Sequence, residues 1–526
     1  MMEPADRRAL LLVVLLAAAL RLPFLGYGLP ELPWVDAFQF VGEAQRLAQG
    51  TGPFEPNDFM YPGLMKLLLA SIYAFFDVVE PASMHLTARL VSATFDLGTT
   101  ALLFVVARRH LSRLGAMAAA SLYAVAILPI ASARLETTDT MLTFFLTAAL
   151  MVATRPGKLG GRYFALVAAL VGLAMGAKLS GLYGGLALLA VTWLAWREGM
   201  PGWRAAGYGV AAGLLAVVVF LATTPWLIEY AEVFALATKV QAEAQRFGQI
   251  GHVQGSWLAY LSDDAFTPEQ PWLPMSLGGA LGPLVLVGMA AGIALALRAP
   301  RDVRLLAWLG YGLLYLLLML GAGRVQALRY LLPAFPSLAL ALGVAVHALA
   351  TRFRARWTAG LALALLALYP LSRSVPFVVA GSRPTTNRLA EDWARTAIPP
   401  GSRVLLTPFY LENLAQLPLD VRRFRGAAQT QYRLRDSLGV DTEATPVYRP
   451  ELVDQMPAAG IRYVILNSFF EASLADAPAN RRYFPKTVAA YAAFRERLEE
   501  KATRVFHIDG WSEGRIGPDI TVYRFD

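Results

Sequence analysis

The chain opens on a polar flank, "MMEPADRR", followed by an apolar run, "ALLLVVLLAAAL". Runs of this kind recur through the first 380 residues. Each approaches the ~20 residues that an α-helix needs to cross a hydrocarbon layer. The pattern predicts about eleven spans, near 8–24, 85–107, 114–131, 137–154, 162–178, 180–196, 204–223, 276–297, 304–322, 328–350 and 357–379. The first is read as an uncleaved helix, because no small-x-small cleavage site precedes Arg21 and Pro23. The stretch "MKLLLASIYAFF" (65–76) is too short to cross, carries Lys66 and stops near Asp77. It is expected to lie in the interface or beside the bundle.

Beyond residue 380 the pattern changes. Short apolar runs, "SRVLLTPFY", "IRYVILNSFF", "RVFHIDG" and "DITVYRF", read as buried strands. They alternate with the helical stretches "TNRLAEDWARTAI" and "KTVAAYAAFRERLEEKAT". The expected fold is therefore a polytopic α-helical membrane domain, residues 1–380, with an extracytoplasmic α/β domain over 381–526. The latter has no nucleophile elbow, phosphate loop or metal motif. Acceptor binding or lid formation suits it better than chemistry.

Basic residues fix the expected sidedness. One alternate set of short connections carries Arg7 and Arg8; Arg108, Arg109 and Arg113; Arg155, Lys158 and Arg162; Arg197 and Arg204; Arg298, Arg301 and Arg304; Arg352, Arg354 and Arg356. The positive-inside rule makes this set, and the amino terminus, cytoplasmic. Segments 25–84, 224–275 and 380–526 then lie outside the cytoplasmic membrane. Composition agrees with a membrane chain: of 526 residues, 56% are hydrophobic and only 16% charged, and mean hydropathy is +0.47. A soluble domain carries about 25% charged residues. The formal charge of +9 follows from the basic flanks and not from nucleic-acid binding, for which there is no motif. The absence of cysteine excludes disulfides, thiolate chemistry and Cys-ligated metal.

Cations on the outer side work against this topology and need another reason to be there. Arg134, Lys178, Arg324 and Arg329 fall there, with Arg21 at the end of the first span. Snorkelling or pairing explains any one of them; a shared anionic ligand better explains the set. Acids nearby include Asp36, in "WVDAFQF", and Glu136 and Asp139, three apart in "SARLETTDTMLTFF". Helix capping accounts for Glu136; Asp139 lies deeper, and a functional role is expected of it. Glu243 and His252, in the second outer segment, are candidates for substrate contact, though a solvated helix face explains Glu243 equally well. One histidine among scattered acids is no metal site. Tyr61 belongs to a group of interfacial aromatics.

These stretches resemble the GT-C glycosyltransferases, in particular the bacterial protein O-mannosyltransferase and lipid A aminoarabinose transferase branch. The resemblance runs through "WVDAFQF", "YPGLMKLL", "ARLVSATFDLGTTALLF", "SARLETTDTMLTFF", "GLAMGAKLSGL" and "RYLLPAFPSLALALG". It implies an inverting sugar transfer from a polyprenyl-phosphate-linked donor, which is a substrate and not a cofactor, to an acceptor hydroxyl. It also implies that Asp36 is the base. Lys178 and Arg329, with Arg324 as second choice, are expected on the donor phosphate. Asp139, Glu136, Tyr61, His252 and Glu243 are expected near the sugar or acceptor. The family often has Asp-Glu and Pro-Pro where this chain has Asp36-Ala37 and Pro62-Gly63. The first departure removes a possible second acid and argues against a two-carboxylate or metal-bridged site. A transporter or lipid flippase is the competing reading; it would call for polar residues at mid-depth and a repeat between halves, whereas the ionisable groups are read as clustering at the outer edge and no repeat is found.

Overall fold

The computed structural model describes residues 2–31, 36–51, 61–247, 276–298, 302–321, 327–352, 356–407, 411–424, 448–471, 474 and 478–526. After α1 (Pro4–Arg21) come two short helices, α2 (Val41–Ala48) and α3 (Leu64–Phe76). They are followed by α4 (Pro81–His110), α5 (Arg113–Val125), α6 (Ile127–Ala133), α7 (Asp139–Ala153), α8 (Gly161–Ala177), α9 (Gly185–Arg197) and α10 (Gly202–Thr223). The second long segment contributes α11 (Ala231–Phe247). The bundle is completed by α12 (Leu277–Leu281), α13 (Pro283–Arg298), α14 (Val303–Gly321), α15 (Phe335–Arg352) and α16 (Arg356–Ala380).

Each expected apolar run is helical. Among the described residues, five stretches suffice by length and composition to cross a membrane: Pro81–His110, Leu179–Arg197, Gly202–Thr223, Leu328–Arg352 and Leu363–Ala380. The pair α5 and α6, bent by 53°, makes a sixth. Other runs give shorter helices, such as Asp139–Ala153 and Gly161–Ala177, because their ends unwind into turns that carry polar side chains. Leucines and valines along α1, α10, α13 and α14 face outward, as a hydrocarbon solvent requires. Helices inside the bundle meet through small residues. At the crossing of α5 and α15, a Cβ on Gly115 would sit 2.8 Å from the Gly343 carbonyl oxygen.

Polar contacts separate the two ends of the bundle. At one end Asp6 accepts from Arg108 (3.0 Å) and Arg113 (2.7 Å), His110 meets Asp302 at 2.5 Å, and Arg304 donates to the Arg155 carbonyl at 3.1 Å. These residues come from the amino-terminal flank and from the connections that carry Arg108 to Arg113, Arg155 and Arg304, so the structure gathers these at one end. Helix termini are capped accordingly. Glu80 accepts from the Ala82 and Ser83 amides at the start of α4, which ends in Arg108, Arg109 and His110.

The carboxy-terminal unit is a mixed sheet of β1 (Arg403–Leu406), β2 (Asp420–Arg423), β3 (Ile461–Asn467), β4 (Thr503–Ile508) and β5 (Ile520–Arg524). Its order is β2-β1-β3-β5-β4, with β1 parallel to β2 and β3, and β5 antiparallel to β3 and β4. Helix α17 (Thr386–Ala397) covers one face. It is followed by α18 (Pro450–Gln455), α19 (Ser468–Glu471), α20 (Pro478–Tyr483) and α21 (Pro485–Lys501). Alternation sorts the two cores: Val404, Leu406 and Ile465 pack with Ala390 and Ala394 of α17, while Leu405, Val464 and Leu466 pack with Val488 and Phe494 of α21. Strand β2, "DVRR", has no apolar alternation and was not expected from the pattern.

Candidate active site

At the other end of the bundle, several segments break their helices close together. Asp139 is the first residue of α7, where an acid suits the positive end of the helix. Lys178 follows the last residue of α8 in an extended conformation, where a cation suits the negative end. The two side chains meet, Lys178 Nζ to Asp139 Oδ1, at 2.7 Å. Lys178 leads into a 3-10 turn, Leu179–Gly184, and Arg329 lies in another, Leu328–Ala334, that opens α15. Tyr330 lies between the two cations: its ring centre is 5.1 Å from Lys178 Nζ and 5.7 Å from Arg329 Cζ.

Asp36 comes to this cluster from the first long segment, at the start of the 3-10 turn Ala37–Gln39. Its Oδ2 accepts from the Tyr61 hydroxyl at 3.2 Å and lies 3.7 Å from Arg329 Nη2. Asp36 and Arg329 are each 28% exposed, so both are open to a ligand. The Tyr61 ring packs edge-on against Phe40 at 4.8 Å. Burial, reinforced by the Asp36 carboxylate, raises the phenol's pKa well above its ordinary value. Tyr61 therefore stays protonated and donates to Asp36. Asp139 also acts electrostatically on Tyr61 and Arg329. The arrangement is two cations on either side of Tyr330, each with a carboxylate, Asp139 for Lys178 and Asp36 for Arg329.

Two more cations of the expected outer set do other work. Arg21 pairs with Asp96 of α4 and donates to the Tyr123 and Ala124 carbonyls (3.2 and 2.7 Å). Those carbonyls end α5 and have no helical partner. Arg134 donates to the carbonyls of Arg21, Pro23 and Phe24. The shared anionic ligand expected of the whole set therefore does not extend to Arg21 and Arg134. In a low-dielectric setting, orphan helix-end carbonyls and Asp96 claim these guanidinium groups. Glu136 is fully buried and 2.9 Å from Arg89, with His85 at 3.3 Å; the structure sets it in a separate network. Arg324 and His252 lie outside the described residues, as does the side chain of Glu243. Among the described residues no three His, Asp or Glu side chains are grouped as a metal would need.

Sequence reasoning missed Arg89 and Asp96, both fully buried on α4, although the signal was present: two charges seven residues apart on one face of an apolar span. Ionisable groups are thus not confined to the outer edge. Arg89 donates to the carbonyls of Leu25 (2.9 Å) and Tyr27 (2.7 Å). With Arg134 it ties down the chain leading to Asp36. Also missed were Tyr330 and the buried pair of Glu43 and Lys66, 2.5 Å apart, which joins α2 to α3.

Residues 65–226 match the family model for dolichyl-phosphate-mannose-protein mannosyltransferase. Among solved structures the chain resembles ArnT from Cupriavidus metallidurans bound to undecaprenyl phosphate, with 15% identity, 98% of this chain and 97% of that one covered, and a TM-score of 0.52. The apo form of the same protein gives 16% identity, 98% of both chains and a TM-score of 0.54. The oligosaccharyltransferase AglB from Archaeoglobus fulgidus, in complex with an inhibitory peptide and a dolichol-phosphate, gives 11% identity, 98% of this chain, 74% of that one and a TM-score of 0.52. The fold is that of the GT-C glycosyltransferases. Among curated proteins nothing matches.

Within this GT-C fold, the chain's two departures from the family pattern have physical reasons. Ala37 is fully buried, and a glutamate there would place a carboxylate in the core. The sequence argues against a two-carboxylate site, but the fold brings a second carboxylate to the cluster from far along the chain, that of Asp139. Gly63 packs against Trp226 and the Thr223 carbonyl so closely that a Cβ would collide with both. Its amide also donates to Thr224 Oγ1 at 3.2 Å, a bond that proline cannot make.

Proposed function

We propose that this protein is an inverting glycosyltransferase that takes a sugar from a polyprenyl-phosphate carrier and passes it to an acceptor hydroxyl on the outer side of the cytoplasmic membrane. The observation that carries this reading is the Asp36–Tyr61–Arg329–Lys178–Asp139 cluster, at the end of the bundle away from the basic connections. Transfer from a phosphate-linked donor needs a base within hydrogen-bond reach of the acceptor and cations where negative charge develops.

Tyr61 donates to Asp36 Oδ2, and this bond steadies the carboxylate that takes the acceptor's proton. As the acceptor oxygen attacks the anomeric carbon, its proton passes to Asp36. The bond from that carbon to the phosphate oxygen breaks, and the polyprenyl phosphate departs with the electron pair. Attack opposite the leaving group inverts the anomeric centre. Lys178 and Arg329 stabilise the leaving phosphate. Arg329 stands 3.7 Å from Asp36, which puts its charge beside the proposed base, where the phosphate of the donor would lie. The likeness to ArnT bound to undecaprenyl phosphate supports the class of donor.

Undecaprenyl phosphate binding to the purified protein tests the assignment. Asp36→Asn is expected to bind it as the wild type does while losing turnover in cells. Lys178→Ala and Arg329→Ala are each expected to weaken binding about tenfold, the loss of one charge-assisted bond of about 1.4 kcal/mol. Unchanged affinity in both cation variants would remove them from the phosphate site.

A further inference from the structure

The segment that leads to Asp36 is held at successive carbonyls. Arg134 takes those of Arg21, Pro23 and Phe24, and Arg89 those of Leu25 and Tyr27. A further hold comes from the carboxy-terminal domain: Asn387 Nδ2 donates to the Glu31 carbonyl at 3.2 Å, and Arg388 Nη1 meets Glu31 Oε1 at 2.9 Å. Glu31 precedes the proposed base by five positions. Asn387 is fully buried, and its Oδ1 has no partner among the described residues. One helical turn on, Glu391 is also buried; its Oε2 accepts from Asn413 Nδ2 at 3.3 Å, and its Oε1 has no partner. Residues four apart on a helix are neighbours. Two orphan acceptors on one helix face, four residues apart, are satisfied together if one of them carries a proton and reaches the other.

We infer that α17 is a positioning element for the catalytic segment, in which Glu391 as a neutral acid donates to Asn387 Oδ1 and so orients the Asn387 amide onto the Glu31 carbonyl. The carboxy-terminal domain then acts in catalysis by holding the approach to Asp36, and its hold depends on a proton.

The surroundings of Glu391 agree. The sheet face under α17 is apolar, with Val404, Leu406, Ile520 and Val522. Glu31 from the catalytic segment and Asp392 on α17 oppose ionisation, while Arg388 and the Asn413 amide favour it. Burial is the largest effect, and the acid is pushed up to about 7 from its ordinary 4.5. The sign follows. Between pH 4.5 and 7 the held state keeps a proton that the released state has lost, so the hold weakens as pH rises through this window and levels off above it.

Hydrogen exchange on the full-length protein in detergent tests this and needs no turnover. Peptides covering Leu25–Glu31 and Asp36–Phe40 are followed at pH 5 and pH 7, corrected for intrinsic rates. The wild type is expected to open about fortyfold more at pH 7. Glu391→Gln, whose amide donates at every pH, is expected to stay protected at both. Asn387→Ala is expected to be open at both, and to lower kcat without weakening undecaprenyl phosphate binding. Equal protection of wild type and Glu391→Gln at both pH values would overturn the proposal, even if Asn387→Ala failed to fold. The inference rests on Asp36 as base for its link to catalysis. If exchange responds as expected but Asp36→Asn keeps full turnover, that base is wrong and the hold stands; if Asp36→Asn is dead and exchange is flat, the hold alone is wrong.

Discussion

At the scale of single residues, the site is built from charges that each have two reasons to be where they are. Lys178 and Asp139 suit opposite helix ends and also pair with each other. Tyr61 fills space against Phe40 and also donates to Asp36. Under the proposed mechanism, Tyr61→Phe keeps the packing and loses only the bond. Its kcat is expected to fall about tenfold with undecaprenyl phosphate affinity unchanged, one hydrogen bond to a charged group being worth about 1.5–3 kcal/mol. A fall in affinity with unaltered kcat would move Tyr61 from the base to the donor. Arg21 and Asp96 contrast with this set, because both are fully buried and bonded within the protein. Asp96→Asn is expected to cost about 3–5 kcal/mol of stability, measured by thermal denaturation in detergent. A change within experimental error would show that the pair is not what joins α1, α4 and α5.

At the scale of elements, the lesson concerns where helices stop. Apolar periodicity located the helical runs well, because hydrocarbon demands long apolar segments. It located their ends poorly, because those are set by polar contacts made far away in sequence. The break at Ala126 is an example: Arg21 takes the last carbonyls of α5, and α6 starts at a 53° angle. Gly63 is another. Its place at the start of α3 reads as a turn signal in sequence, yet its requirement is the approach of Trp226 from a segment 163 residues later. Gly63→Ala is expected to lower stability by about 1–3 kcal/mol through overpacking. Gly63→Pro should lose more, since the bond to Thr224 goes as well. Equal stability of the two variants would show that the Thr224 bond contributes nothing.

At the scale of the molecule, topology and site support each other. The cation count put the basic connections on one side, and the structure gathers those residues at one end and the Asp36 cluster at the other. The fold was legible because span pattern, charge alternation and motif order are all local or periodic signals. Much of the cluster was legible for the same reason: an ionisable residue at a span end stands out against an apolar background. What stayed hidden was which cations bind the protein itself. Arg134 and Lys178 look alike in sequence, and only the fold shows carbonyls around the first and a carboxylate beside the second. The grip of α17 on Glu31 was hidden too, since it joins segments some 350 residues apart (356 for Asn387).

The central claim is that this chain moves a sugar, with Asp36 as base. The most direct test is mass spectrometry of envelope glycolipids, glycans and proteins from cells lacking the gene, complemented with the wild type or with Asp36→Asn. The account predicts one sugar missing from one class of acceptor in the deletion, restored by the wild type and not by Asp36→Asn at equal protein levels. Restoration by Asp36→Asn, or an unaltered envelope in the deletion, would contradict it.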